Sequence, residues 1–216
     1  MANPIGNVGG NQNIQSSGQD PSHMQEYNKY LNQLADLLNK MPKDPSKLQN
    51  WANQIKKLHN TLQNLGPDLK LKGNAKQFYN MILDKTQKMG SETGEDTISN
   101  SAGLYGYTQV ALSNPKGDDT YLLPKLEYQA DLNSIKFLLK NRPEKGSGTW
   151  ANALGNYYSG LKSIQHQLHL PKDIQGELKG ELSLLQKIST QVESYTPGNL
   201  NELNANNNDL LANLPT

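Results

Sequence analysis

Polar residues and glycines dominate the first 23 positions, and from Met24 onward leucines and aromatics recur with the period of a helix. Tyr27, Leu31, Leu34, Leu38 and Met41 alternate steps of four and three, the spacing of one apolar stripe, and Pro42 follows as the stop. Leu48, Trp51, Ile55, Leu58, Leu62 and Leu65 form a second stripe. Asp44 stands before it as N-cap with Pro45 at the first helical position, and Gly66-Pro67 is expected to close it. A third stripe runs through Leu71, Ala75, Phe78 with Tyr79, Ile82 and Met89, with Gly90 as its C-cap.

The same order of stripes returns about a hundred residues later, a self-similarity that bears on the whole fold. Residues 26–42, EYNKYLNQLADLLNKMP, align without a gap on 127–143, EYQADLNSIKFLLKNRP. Tyr27 meets Tyr128, Leu31 meets Leu132, Leu34 meets Ile135, Leu38 meets Leu139 and Pro42 meets Pro143. After a short deletion the only two tryptophans coincide, each in a Trp-Ala-Asn setting. Trp51, Ile55, Leu58, Leu62 and Leu65 fall on Trp150, Leu154, Tyr157, Leu161 and Ile164. Beyond Pro67 and Pro171, Leu71, Ala75, Tyr79, Ile82 and Met89 meet Ile174, Leu178, Leu182, Leu185 and Val192. The pattern predicts an all-α protein with a tandem duplication of a three-helix unit, as two three-helix bundles or one pseudo-twofold six-helix bundle. The expected divisions are a flexible polar leader (1–23), unit 1 (24–90), a connector (91–123), unit 2 (124–194) and an Asn-rich tail (195–216).

The connector opens as a Gly, Ser, Thr and acidic loop, and 97–112 reads as a helix of small residues or a short strand, with a turn at Asn114-Pro115. A linker of this length tends to carry function or to pack over a domain junction. Its apolar residues Leu104, Tyr105, Tyr107, Val110 and Leu112 are therefore the candidate interaction surface, with structural packing as the other reading. In the tail, Leu200, Leu203, Leu210, Leu211 and Leu214 form at most a short helical face amid asparagines.

Composition narrows the chemistry. Twenty-one basic and 20 acidic residues leave a net charge of +1, so no global field draws the chain to nucleic acid or an anionic membrane. Arg142 is the only arginine, which argues against phosphate recognition by bidentate forks. Cysteine is absent, which excludes disulfides, thiolate metal sites and cysteine nucleophiles. Residues 155–163, GNYYSGLKS, imitate a phosphate loop, but Leu161 interrupts the motif and the segment lies within a predicted helix. His166 and His169 are three apart without a third ligand, and Glu177 and Glu181 read as an exposed helix face around Lys179. Lys56-Lys57 and Lys70 with Lys72 are small basic faces that suit solubility. No catalytic, cofactor or metal site is expected, and both tryptophans belong to the apolar stripes.

The leader MANPIGNVGGNQNIQSSGQDPS lacks a basic n-region and an apolar h-region, and no segment has the apolar length of a membrane span. In this leader, in the missing cysteines and in the Asn, Gln and Leu bias, the chain resembles bacterial type III secreted effectors and hydrophilic tip or translocator proteins. It departs from the tip proteins in having no clear C-terminal coiled coil. The resemblance carries no motif and transfers no functional residue. It implies a secreted, non-enzymatic protein that binds a host protein, an export chaperone or an apparatus component, cytoplasmic before a non-Sec export. A scaffolding subunit of a virion or filament, self-associating as a homo-oligomer, is the alternative, and an enzyme with a dispersed site the second.

Overall fold

The computed structural model describes residues 20–91, 94–114, 123–142 and 148–165, together with 183, 184, 186–188, 190, 191, 202, 205, 206 and 209. Among the described residues the protein is all-α. Six helices run in the order α1 (Pro21–Asn39), α2 (Pro45–Leu69), α3 (Gly73–Lys88), α4 (Gly94–Ser113), α5 (Leu123–Lys140) and α6 (Gly148–Gln165). None is long and apolar enough to cross a membrane.

The first two helices start in the same way. Asp20 Oδ1 accepts from the Ser22 amide at 2.9 Å and the Ser22 hydroxyl at 2.8 Å. Asp44 Oδ1 accepts from the Ser46 amide at 3.0 Å and the Ser46 hydroxyl at 2.7 Å. Each Asp-Pro-Ser thus satisfies an otherwise orphaned amide and places proline where no amide is needed. Helix α1 therefore begins three residues ahead of the sequence-based start at Met24, inside the expected leader.

Helix α2 does not close at Gly66-Pro67; it passes through Pro67 to Leu69 and stops at Lys70, whose φ is 48°. Proline removes only one donor this close to a helix end. One further half turn places Leu69 fully in the core. Gly66 leaves the space through which the Tyr79 hydroxyl reaches the Leu62 carbonyl at 2.7 Å. Helix α3 ends at Lys88, and Gly90 takes up the left-handed conformation (φ 81°) expected of a C-terminal glycine.

Burial repeats along the aligned stripes. Tyr27, Leu31, Leu34 and Leu38 are buried in α1, and Tyr128, Leu132, Ile135 and Leu139 are buried in α5. Trp51, Ile55, Leu62 and Leu65 in α2 are matched by Trp150, Leu154, Leu161 and Ile164 in α6, while Leu58 and Tyr157 are both half-buried. The third stripe of the second unit, Ile174, Leu178, Leu182, Leu185 and Val192, lies outside the described residues.

The largest departure from expectation is the connector. Its helix α4 packs on α5, α3, α1 and α6, and the α1–α3 group meets the α5–α6 pair mainly through it. Residues of all six helices join one continuous core, so the described helices are not two separate bundles. The composition of α4 explains its central place. Ala102, Gly103, Gly106 and Ala111 let neighbouring helices approach. The buried hydroxyls of Ser101 and Thr108 donate to the carbonyls of Thr97 and Leu104 four residues back, so they enter the core satisfied.

Candidate functional site

Three glycines bring polar groups together where α3, α4, α5 and α6 meet. A methyl group on Gly106 would collide with the Ala130 carbonyl and the Ser134 hydroxyl of α5. One on Gly103 would lie 2.5 Å from the Tyr157 hydroxyl and 2.6 Å from Cε of Lys85. On α6, one on Gly160 would lie 2.6 Å from Asp131 Oδ2. The hydroxyl of Tyr157 donates to the Ser99 carbonyl at 3.1 Å. Lys85 Nζ donates to Asn100 Oδ1 at 3.3 Å and stands 5.9 Å from the centre of the Tyr107 ring, which in turn packs at 5.9 Å against Phe78.

In front of these groups is a partly open hollow of about 260 Å³ lined by Met81, Tyr107, Glu127, Asp131, Gly160, Ser163 and Ile164. Glu127 and Asp131 are one turn apart on α5 and so share a face. Burial, and then the Glu127 charge, push the Asp131 carboxyl up to about 7. Burial also raises Glu127. Tyr107 is raised by burial and then by the carboxylates of Asp131, Glu127 and Asp84. Tyr157 is raised by burial first, then by Tyr107 and Asp131, against a hydrogen bond to Ser134. The arrangement can take up or release one proton near neutrality, and a protonated Asp131 is a hydrogen-bond donor. Among the described residues no group of three or more His, Asp or Glu side chains could hold a metal ion.

No family model matches the chain, and no curated protein or solved structure matches it.

The connector residues divide between core and surface. Leu104 and Val110 are buried, at 0% and 2% exposure, which leaves them no face for a partner. Tyr105 is half-buried with its ring 5.3 Å from Phe137, Leu112 is half-buried, and Tyr107 lines the hollow. Residues 155–163 lie within α6, as expected, where consecutive amides are turned into the helix and form no phosphate cradle. His166, His169, Glu177 and Glu181 lie outside the described residues, as does the leader up to residue 19 and the tail leucines 200, 203, 210, 211 and 214.

Two polar sites escaped the sequence reading. His59 Nδ1 is 3.0 Å from the buried Thr86 hydroxyl, which donates to the Ile82 and Leu83 carbonyls at 2.9 and 3.0 Å. The Thr86 proton being used there, His59 Nδ1 is the donor to Thr86 Oγ1. The Glu127–Asp131 pair had one legible signal. Helix α5 carries Ala130, Phe137 and Leu138 in addition to its main stripe, so it is apolar around most of its circumference and an acid on it has little water to face.

Proposed function

We propose that this chain is a secreted, non-enzymatic helical protein that acts by binding another protein, and that the outer surface of α1–α3 is the face it uses. The supporting observation is a segregation of charge that the whole-chain total conceals. Residues 24–90 hold eleven lysines and five acidic residues, a net charge of +6, and the remaining residues hold ten basic and fifteen acidic ones. Ten of the eleven lysines, Lys85 excepted, are exposed. Two of them pair locally, Lys47 with Asp44 at 3.9 Å and Lys88 with Asp84 at 2.8 Å. A surface of this kind steers and orients an acidic protein partner, and with lysine in place of arginine it is poorly suited to gripping phosphate. The polar leader and the absence of cysteine support export by a non-Sec route.

A photo-crosslinker replacing Gln54, among the α2 lysines, is compared with one replacing Asn156 on the exposed face of α6. The proposal expects salt-sensitive adducts with an acidic protein from position 54 and none from 156. Equal adducts from both positions, or adducts from 156 alone, would overturn it. A reporter fused to residues 1–22 tests the export route. Secretion should be lost in a type III competent strain deprived of its export ATPase, and equal secretion with and without the ATPase contradicts that route.

A further inference from the structure

The contact between Asp131 of α5 and Gly160 of α6 has a consequence independent of the binding face. The α6 backbone lies so close over the carboxyl that a methyl at position 160 would stand 2.6 Å from Asp131 Oδ2 and require that side chain to shift. The titratable groups that act on this carboxyl are Glu127 on α5 itself, Tyr107 from α4 and Tyr157 from α6, while Asp84 and Lys85 of α3 stand one layer out, around the Tyr107 ring. Glu127 and Asp84 carry the same charge as an ionised Asp131. The phenols stay neutral through the ordinary pH range, since burial raises both. Lys85 is engaged with Asn100 and the Tyr107 ring. Among the described side chains no cation lies within ion-pair distance of Asp131.

We propose that the Asp131 carboxyl is a proton-operated latch between α5 and α6, closed when the carboxyl is neutral and released when it ionises. A neutral carboxyl tolerates half-burial under a helix backbone. An ionised one, with Glu127 one turn away, requires water, because charge in a poorly solvated site without a partner is costly. The hollow beside it gives the proton a path to solvent, and separation of α6 from α5 would complete the hydration of the charge. Burial and the Glu127 charge place the transition close to neutral pH, at about 7. The sign follows from linkage. The closed state holds the proton through the interval from the ordinary aspartate range up to about 7, whereas the open state has already lost it, so raising the pH through that interval favours opening. Above about 7 both states are ionised and the dependence levels off.

Hydrogen exchange on the full chain, corrected for the intrinsic pH dependence of amide exchange, tests the latch. If the open state has an ordinary aspartate value, the opening constant of 148–165 should rise about 30-fold between about pH 5.5 and 8.5, by linkage. Over the same interval the amides of α1 and α2 should change little. Asp131→Asn, neutral at every pH and nearly isosteric, should leave α6 closed and flat across the range. Gly160→Ala, which forces the Asp131 side chain to shift, should raise the opening constant of α6 at the acid end. A pH-independent α6 in the native chain overturns the proposal. So does the same transition in Asp131→Asn, which would assign it to other groups such as the histidines.

Discussion

The indole N–H of Trp150 donates to the Leu138 carbonyl at 2.8 Å and clips the start of α6 to the end of α5. Trp51 makes the same bond to Leu37 at 2.7 Å, clipping α2 to α1. Leu37 and Leu138 are partners in the ungapped alignment of 26–42 on 127–143, so the repeated sequence is accompanied by a repeated bond and not only by repeated burial. The shared Trp-Ala-Asn setting stands in the N-terminal half of α2 and of α6. Trp51→Ala and Trp150→Ala should each cost about 3 to 5 kcal/mol in urea denaturation, through lost burial and the lost indole hydrogen bond. A cost near zero at either site would show that the two clips are not equivalent.

Close packing of α4 against α5 makes Gly106 and Gly155 an informative pair. A methyl on Gly106 meets the Ala130 carbonyl, and one on Gly155 meets nothing within 4 Å. Gly106→Ala should therefore destabilise by about 1 to 3 kcal/mol through forced separation of the helices. Gly155→Ala should stabilise by about 0.5 to 1 kcal/mol, the helix preference of alanine over glycine. Midpoints of thermal or urea unfolding decide both, and equal effects would contradict the packing described.

The twin caps predict twin losses. Asp20→Ala and Asp44→Ala each remove a side-chain acceptor from a helix N-terminus and should each cost about 1 kcal/mol. Asn at either position should restore most of it. Circular dichroism melts of the two alanine variants and their asparagine counterparts measure this directly.

Thr86→Val should destabilise by about 1 to 3 kcal/mol, since it leaves the His59 Nδ1–H buried without an acceptor. The native chain should show a slowly exchanging Nδ1 proton by NMR, and the variant should lack it. Its persistence would mean that His59 bonds elsewhere.

Much of this fold is legible in the pattern of apolar positions, because helices that bury one stripe must repeat at three and four. The stripes of α1, α2, α3, α5 and α6 all follow that rule and supply most of the large buried side chains, although α5 also buries Leu126, Phe137 and Leu138 off its stripe. Helix α4 does not, since it is covered on several sides and its Gly, Ala, Ser and Thr residues have no single apolar face to betray it. For the same reason Leu104 and Val110 read as surface candidates when they are core. The carboxyl of Asp131 is hidden for a different reason. Its perturbation comes from an α6 backbone brought near by Gly160, twenty-nine positions away in the chain, and no local pattern records such a contact. The charge of residues 24–90 was legible but was masked by averaging over the chain. Removing the connector in order to map binding would remove α4 and with it the shared core, so charge reversal on the surface is the cleaner intervention.

We propose that binding uses the lysine-bearing surface of α1–α3 and not the carboxylate hollow. The most direct measurement compares capture of the crosslinked acidic partner by two folded full-length variants. One carries Lys29→Glu, Lys56→Glu, Lys57→Glu and Lys76→Glu, and the other carries Glu127→Gln and Asp131→Asn. The account predicts that the first loses the partner and the second retains it at native affinity. Retention by the first and loss by the second would contradict it.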